Sequence, residues 1–176
     1  MQPTADARRF ETLLRPHLGA AYNLARWLTG NESAAHDVVQ ESSLRAFRFI
    51  HRFMDGNARA WFLSIVRNQS YNWLKSPMGR HGIAIGDEIE EDDLALSHDQ
   101  TPEKEAIRHQ DIAHVKRALT TLPPLFREVL VLKEMEDFSY KDIAIIMDIP
   151  VGTVMSRLAR ARTMLKTEIM KQYGHG

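Results

Sequence analysis

Thr153, Ser156, Arg157 and Arg160 fall on one side when the stretch from about Val151 to Lys171 is wound as a helix. Val154, Leu158, Ala161 and Leu165 share a different, narrow sector. The second set is built to pack, which leaves the first free to meet a partner. Short hydroxyls and arginines near a helix start suit base edges and phosphates, and arginine grips guanine with two parallel hydrogen bonds. Arg162, Lys166 and Lys171 extend the positive charge. Ahead of this helix, Ser139-Tyr140-Lys141-Asp142 is a capping box. It opens a short helix carrying Ile143, Ala144 and Met147, and Asp148-Ile149-Pro150 turns the chain. A short capped helix, a tight turn and a longer helix make the layout of a helix-turn-helix. Ala144 is small where the helices cross, and Ile149 is apolar where the turn can anchor.

A second constellation lies in the predicted helix from about Ala58 to Lys75. Ser64, Asn68, Asn72 and Lys75 share one face, flanked by Trp61, Arg67 and Tyr71. Phe62, Ile65, Val66, Gln69 and Trp73 share another. Aromatic rings stack on unpaired bases and asparagine reads a base edge, so the first face has the chemistry of a single-strand binder. Trp61 and Tyr71 would serve equally well in the core of a small bundle.

The elements that carry these faces are helical, and strand-like alternation is hard to find. Phe10, Leu13, Leu14, Leu18, Ala21, Ala25 and Leu28 recur at three- and four-residue steps, which predicts one amphipathic helix ended by Gly30. Asn31 or Ser33 can cap a second, from about Ala34 to Arg52, with Val39, Ala46, Phe47 and Ile50 on its apolar side. Asp55-Gly56-Asn57 reads as a turn followed by a cap for the third helix. Ser76-Pro77-Met78-Gly79 stops that helix, and periodicity is absent to about Gln100. Thr101-Pro102-Glu103 restarts helix, with Ile107, Val115 and Leu119 as apolar positions; Pro123-Pro124 breaks it before a helix from Leu125 to Glu134. The expected fold is all-α, two small helical domains over 1–75 and 103–176 joined by a linker over 76–102.

Charge follows the same division. The chain holds 23 basic and 23 acidic residues, so its average argues against a nucleic-acid binder. Residues 1–75 hold ten basic and six acidic side chains, residues 76–105 two and nine, and residues 106–176 eleven and eight. The zero is a cancellation between two basic halves and an acidic tether, in which Asp87 to Asp93 contains six acidic residues in seven. Cysteine is absent, which excludes disulfides, thiolate catalysis and cysteine zinc sites. No apolar run is long enough to cross a membrane, and Met1 to Arg15 has no signal-like apolar core. A cytoplasmic protein without membrane insertion is expected.

Two stretches together resemble a known family. Asp37-Val38-Val39-Gln40-Glu41, then Phe47 and Trp61-Phe62-Leu63-Ser64-Ile65-Val66-Arg67-Asn68, resemble region 2 of bacterial sigma factors. Leu122-Pro123, Ser139 to Ala144 and Pro150 to Arg162 resemble region 4. With only these regions and a short linker, the chain resembles the extracytoplasmic-function (ECF) group, the dissociable promoter-specificity subunits of RNA polymerase. The resemblance implies that Asp37, Gln40 and Glu41, with Arg45 nearby, bind core RNA polymerase. It implies that Asn68 and Asn72 trap a base of the melted −10 element, with Arg59, Arg67, Lys75 and Trp61 around the strand. It implies that Ser156 and Arg160 read the −35 element, supported by Thr153, Arg157 and Lys133. Met155 stands where many relatives carry a basic residue, which removes one contact. Core RNA polymerase, promoter DNA and an anti-sigma factor are the implied partners, and the acidic linker would thread the polymerase cleft. No cofactor, metal or small-molecule substrate is expected.

Three other readings compete. A sigma-like decoy that only sequesters an anti-sigma factor should lack the DNA-facing residues, which are present here. A metal-dependent phosphohydrolase would use His36-Asp37, but needs further ligands converging on the ion. His109 and His114 are five apart and poorly placed on one helical face. A conventional repressor would need its ligand domain in the first seventy-five residues, which look like a melting helix instead.

Overall fold

The structure is a computed structural model that describes residues 2–81 and 102–174, all helix, turn and loop with no strand among the described residues. The expected Thr101 cap and the acidic run Asp87 to Asp93 lie outside them.

The first apolar stripe is divided between two helices. Pro16 has no amide hydrogen and cannot continue a helix through its own turn. The chain therefore forms α1 (Ala5–Leu13), a 3-10 turn (Arg15–His17) and α2 (Leu18–Thr29), where one continuous helix was expected. Gly30 ends α2 with φ of 65°, a left-handed conformation open to glycine at no steric cost. Asn31, rather than Ser33, caps α3 (Glu32–Phe49): its side chain accepts from the Ala34 amide at 2.8 Å. Ile50–Arg52 continue as a 3-10 turn. Asn57 caps α4 (Ala58–Lys75) in the same way, accepting from Ala60 at 3.0 Å.

Helices α2, α3 and α4 pack on one another, with α1 against α3. Leu24, Leu28, Val38, Ile50, Phe62 and Val66 fill the space between them. Phe47 was expected in this core but lies at its edge, 43% exposed, with its ring edge-on to Phe10. After Ser76 the chain does not leave the bundle: a short helix, α5 (Pro77–His81), folds back on the end of α4. Gly79 is buried there, and a Cβ at that position would overlap the Trp73 carbonyl.

The second half comprises α6 (Pro102–Thr121), α7 (Pro124–Leu130), a π turn (Val131–Met135), α8 (Tyr140–Met147) and α9 (Val151–Tyr173). Helices α6, α7 and α8 each pack against α9. Ile107, expected among the apolar contacts of α6, is 62% exposed, whereas Leu119 and Leu122 are buried. Ser139 caps α8, accepting from the Asp142 amide at 3.1 Å. A Ser139→Ala variant is expected to lose about 1 kcal/mol of stability, read as a lowered thermal midpoint with unchanged helix content in the cold.

The halves do not stand apart. Helix α4 lies on α8 and α2 on α7, and the buried apolar side chains form one continuous cluster from Leu14 to Ala161.

Candidate nucleic-acid interface

The outward face of α9 is set by its inward one. Val154, Leu158 and Ala161 are buried and Leu165 half-buried, as the phasing predicts. Asp148 takes the left-handed conformation at the end of α8, with φ of 52°, and closes the turn by donating its amide to the helix's last carbonyls. Ile149 donates to the Ala144 carbonyl at 3.1 Å and packs half-buried on the core. This turn aims the start of α9 outward. Ser156 and Arg160 are exposed; Thr153 and Arg157 are half-buried. Met155 is 53% exposed, an apolar interruption of this polar face. Further along, Arg162 is paired with Glu134 at 2.6 Å, and Lys171 with Glu168 at 2.8 Å, so the expected extension of positive charge is partly neutralised. Lys133 is engaged locally: its ammonium donates to the Phe138 carbonyl at 3.3 Å and sits 5.2 Å from the Tyr140 ring centre.

On α4, Asn68, Asn72 and Lys75 are exposed together, on the side opposite buried Phe62 and Val66. Trp61 is half-buried and stacks on Phe53, ring centres 5.1 Å apart. A groove of about 810 Å³ runs between the end of α3, the 53–57 loop and the start of α4. Arg45, Arg52, Phe53 and Trp61 line it, and Ile145 of α8 supplies part of its wall.

A third surface lies on α3. Asp37, Gln40, Glu41 and Arg45 are all exposed at helical spacing on one face, next to Leu44, which is 57% exposed. The His36 ring next door stacks on Tyr22 at 4.7 Å, and among the described residues no three acidic or histidine side chains converge as a metal site.

Arg59 and Arg67 have a different setting. They point across the seam into the second half. Arg67 donates from Nε and Nη2 to the two carboxylate oxygens of Glu128 on α7, at 2.8 and 2.9 Å, and its guanidinium lies 4.6 Å from the Tyr71 ring centre. Glu128 is wholly buried and the Arg67 side chain is 16% exposed. Arg59 donates to the Glu136 carbonyl at 2.9 Å and stacks on Phe138 at 3.9 Å. Asn23 of α2 donates to the Glu136 carboxylate at 2.6 Å, and Arg127 donates to the Trp27 carbonyl at 2.8 Å.

Burial pushes the Glu128 carboxyl above the ordinary carboxylate range, while the Arg67 hydrogen bonds and charge pull it back. Desolvation works against the Arg67 charge, but Glu128 outweighs it and the guanidinium is held more firmly protonated than usual. Burial, then the Glu128 charge, pushes the Tyr71 phenol up, and its buried hydroxyl makes no hydrogen bond of normal geometry. Burial, then Arg59, holds His17 below its ordinary value.

Residues 13–77 match the family model for Sigma-70 region 2, and residues 113–165 match that for Sigma-70 region 4. The chain is 35% identical over 151 residues to the ECF RNA polymerase sigma-E factor of Haemophilus influenzae, covering 83% of this chain and 79% of that one. The chain belongs to the ECF sigma factors. It is 33% identical over 162 residues to the RNA polymerase sigma-H factor of Pseudomonas aeruginosa, covering 89% of this chain and 84% of the relative. It is 32% identical over 165 residues to the ECF sigma factor SigE of Mycolicibacterium smegmatis; the match covers 92% of this chain but only 62% of that longer relative. The fold is similar to that of the sigma factor RpoE in its complex with the anti-sigma factor NepR from Bartonella quintana, with a TM-score of 0.69 and 30% identity over 93% of this chain and 98% of that one.

In this sigma factor the sequence reasoning overlooked Glu128, Glu136, Asn23 and Phe53. Glu128 carried a signal: it sits among Leu125, Phe126, Val129 and Leu130, where a carboxylate on a packed helix needs a partner. Nothing in the spacing says that this partner lies sixty-one residues upstream.

Proposed function

We propose that the chain binds core RNA polymerase and directs initiation at specific promoters, with residues 1–75 acting at the −10 element, 76–102 as linker and 103–176 at the −35 element. The observation that carries this reading is the pairing of two surfaces, an exposed Ser156/Arg160 face on the second helix of a helix-turn-helix and an exposed Asn68/Asn72 face on α4. The first has the donors and acceptors for duplex base edges, with Thr153 and Arg157 beside it. The second has amides for unpaired bases, with Lys75, Trp61, Arg59 and Arg67 for the strand around them. Lys133 takes part only if its hydrogen bond to Phe138 is exchanged for a phosphate. The exposed α3 face, Asp37, Gln40, Glu41 and Arg45, is the proposed polymerase contact. Holding both domains on one polymerase makes the second DNA contact effectively intramolecular.

No bond chemistry is required of the chain, so it works as a binding subunit and not as an enzyme, in the cytoplasm where polymerase and promoter meet. No helix among the described residues is long and apolar enough to cross a membrane. Its similarity to a sigma factor solved with its anti-sigma factor supports control by such a partner. Reconstituted transcription tests the reading: core polymerase plus this chain, on genomic template, should give discrete new transcript 5′ ends. Absence of any chain-dependent start would overturn it.

A further inference from the structure

We infer that the start of α9 reads a thymine methyl: Val151 and Met155 form an apolar flank that selects a T·A pair in the duplex element, beside the pairs that Ser156 and Arg160 read. The inference rests on the promoter-binding reading above and names a base that reading leaves open.

Wound at about 100° per residue, α9 places Ser156 in the middle of its outward face. Thr153, Arg157 and Arg160 lie to one side of it, Val151 and Met155 to the other. Val151 is 40% exposed and Met155 53%, one turn apart. Both stand outside the buried cluster and outside the half-buried side chains packed on it. Gly152 and Ala159, both exposed, lie between the flanks and put no long side chain in front of them. Ser156 donates its hydroxyl to the Thr153 carbonyl at 3.1 Å, back toward the polar flank. Arg162, two turns beyond Met155 on the apolar side, donates from Nε and Nη2 to Glu134 at 3.0 and 2.6 Å, so the guanidinium of this flank is engaged within the chain. The outward face is therefore divided: one flank offers donors, the other offers only apolar surface.

A single exposed apolar side chain needs no account. A pair of them in the first turns of a recognition helix does, because those turns carry the residues that meet base edges in the major groove. Guanine, cytosine and adenine present only polar groups there, whereas thymine adds a methyl group. Guanine opposite Met155 would have O6 and N7 stripped of water with no donor facing them, and an unsatisfied polar edge is costly. Thymine gives the same side chain a methyl to cover. Methionine is unbranched and turns about three bonds, so it can settle on that methyl without moving the helix. The flank selects both by attraction to thymine and by penalty against the other bases.

Base analogues test this in reconstituted initiation with core polymerase. The −35 region is taken from a promoter mapped by its chain-dependent 5′ ends, and its thymines are replaced one at a time, on either strand, by 2′-deoxyuridine, which lacks only the methyl. At one position uridine should lower initiation by the wild-type chain roughly three- to fivefold, the worth of one buried methyl. With Met155→Ala, thymine and uridine at that position should serve equally, and Met155→Leu should keep most of the discrimination. Met155→Arg should transfer the preference at that position to guanine. Insensitivity of the wild type to every uridine overturns the inference, as does an unchanged uridine effect in Met155→Ala. If the wild type directs no start on any template, the promoter-binding reading fails and takes the inference with it.

Discussion

Truncating Phe62 to alanine is expected to lower the stability of the protein by about 3–5 kcal/mol, the cost of removing a buried aromatic ring and leaving a void. Phe62 is wholly buried on the inner side of α4, between α2 and α3. The bundle cannot collapse around the gap, because α4 is fixed at its start by the Asn57 cap and at its end by α5, which is folded tightly against Trp73 and Leu74. For a chain of 176 residues with one continuous core the loss corresponds to a fall in melting temperature of roughly 6–20 °C, readable by circular dichroism. Phe47→Ala is the control. That ring is 43% exposed and touches Phe10 edge-on, so its removal should shift the midpoint by only a few degrees. Equal shifts for the two variants would contradict the placing of the core. The consequence for function is direct: Asn68 and Asn72 owe their position to the packing of the opposite side of the same helix.

What could be read from the residues and what could not divide along a physical line. The faces of α4 and α9 were legible because a period of 3.6 residues ties each exposed side chain to a buried one nearby. The caps at Asn57 and Ser139 were legible because their hydrogen bonds span three residues. The break at Pro16 was legible in principle: a proline inside an apolar stripe removes a donor, but the stripe's unbroken phase concealed it. Arg59 and Arg67 were recognised as cations near a binding face, yet their partners in the structure are Glu136 and Glu128, far along the chain. Local periodicity holds no information about such pairs. The division into two helical domains was legible in the helix stop at Ser76-Pro77, the loss of periodicity to about Gln100 and the acidic composition between them, but none of these local signals shows that α4 packs on α8.

Replacing Arg160 by alanine is expected to reduce promoter-directed initiation by roughly 5- to 150-fold, the range set by about 1–3 kcal/mol for one specific base contact. Arg160 is exposed one turn beyond Ser156 and makes no described hydrogen bond within the chain, so its removal should leave the melting temperature unchanged. Lys166→Ala, a charge loss further along the same helix, should cost far less if the contact is specific and not merely cationic. Asn68→Ala should lower output as well, but by another route. If Asn68 holds a base drawn out of the duplex, it offsets the few kcal/mol of unstacking, and its loss slows melting. A template opened in advance across the −10 region separates the two effects. On that template Asn68→Ala should regain much of its activity, since the unstacking cost has been removed. Arg160→Ala should regain little, because its contact lies on duplex upstream. An equal loss for Asn68→Ala on both templates would make its amide a contact to the strand and not an agent of melting. An equal recovery for Arg160→Ala would take the −35 element away from α9.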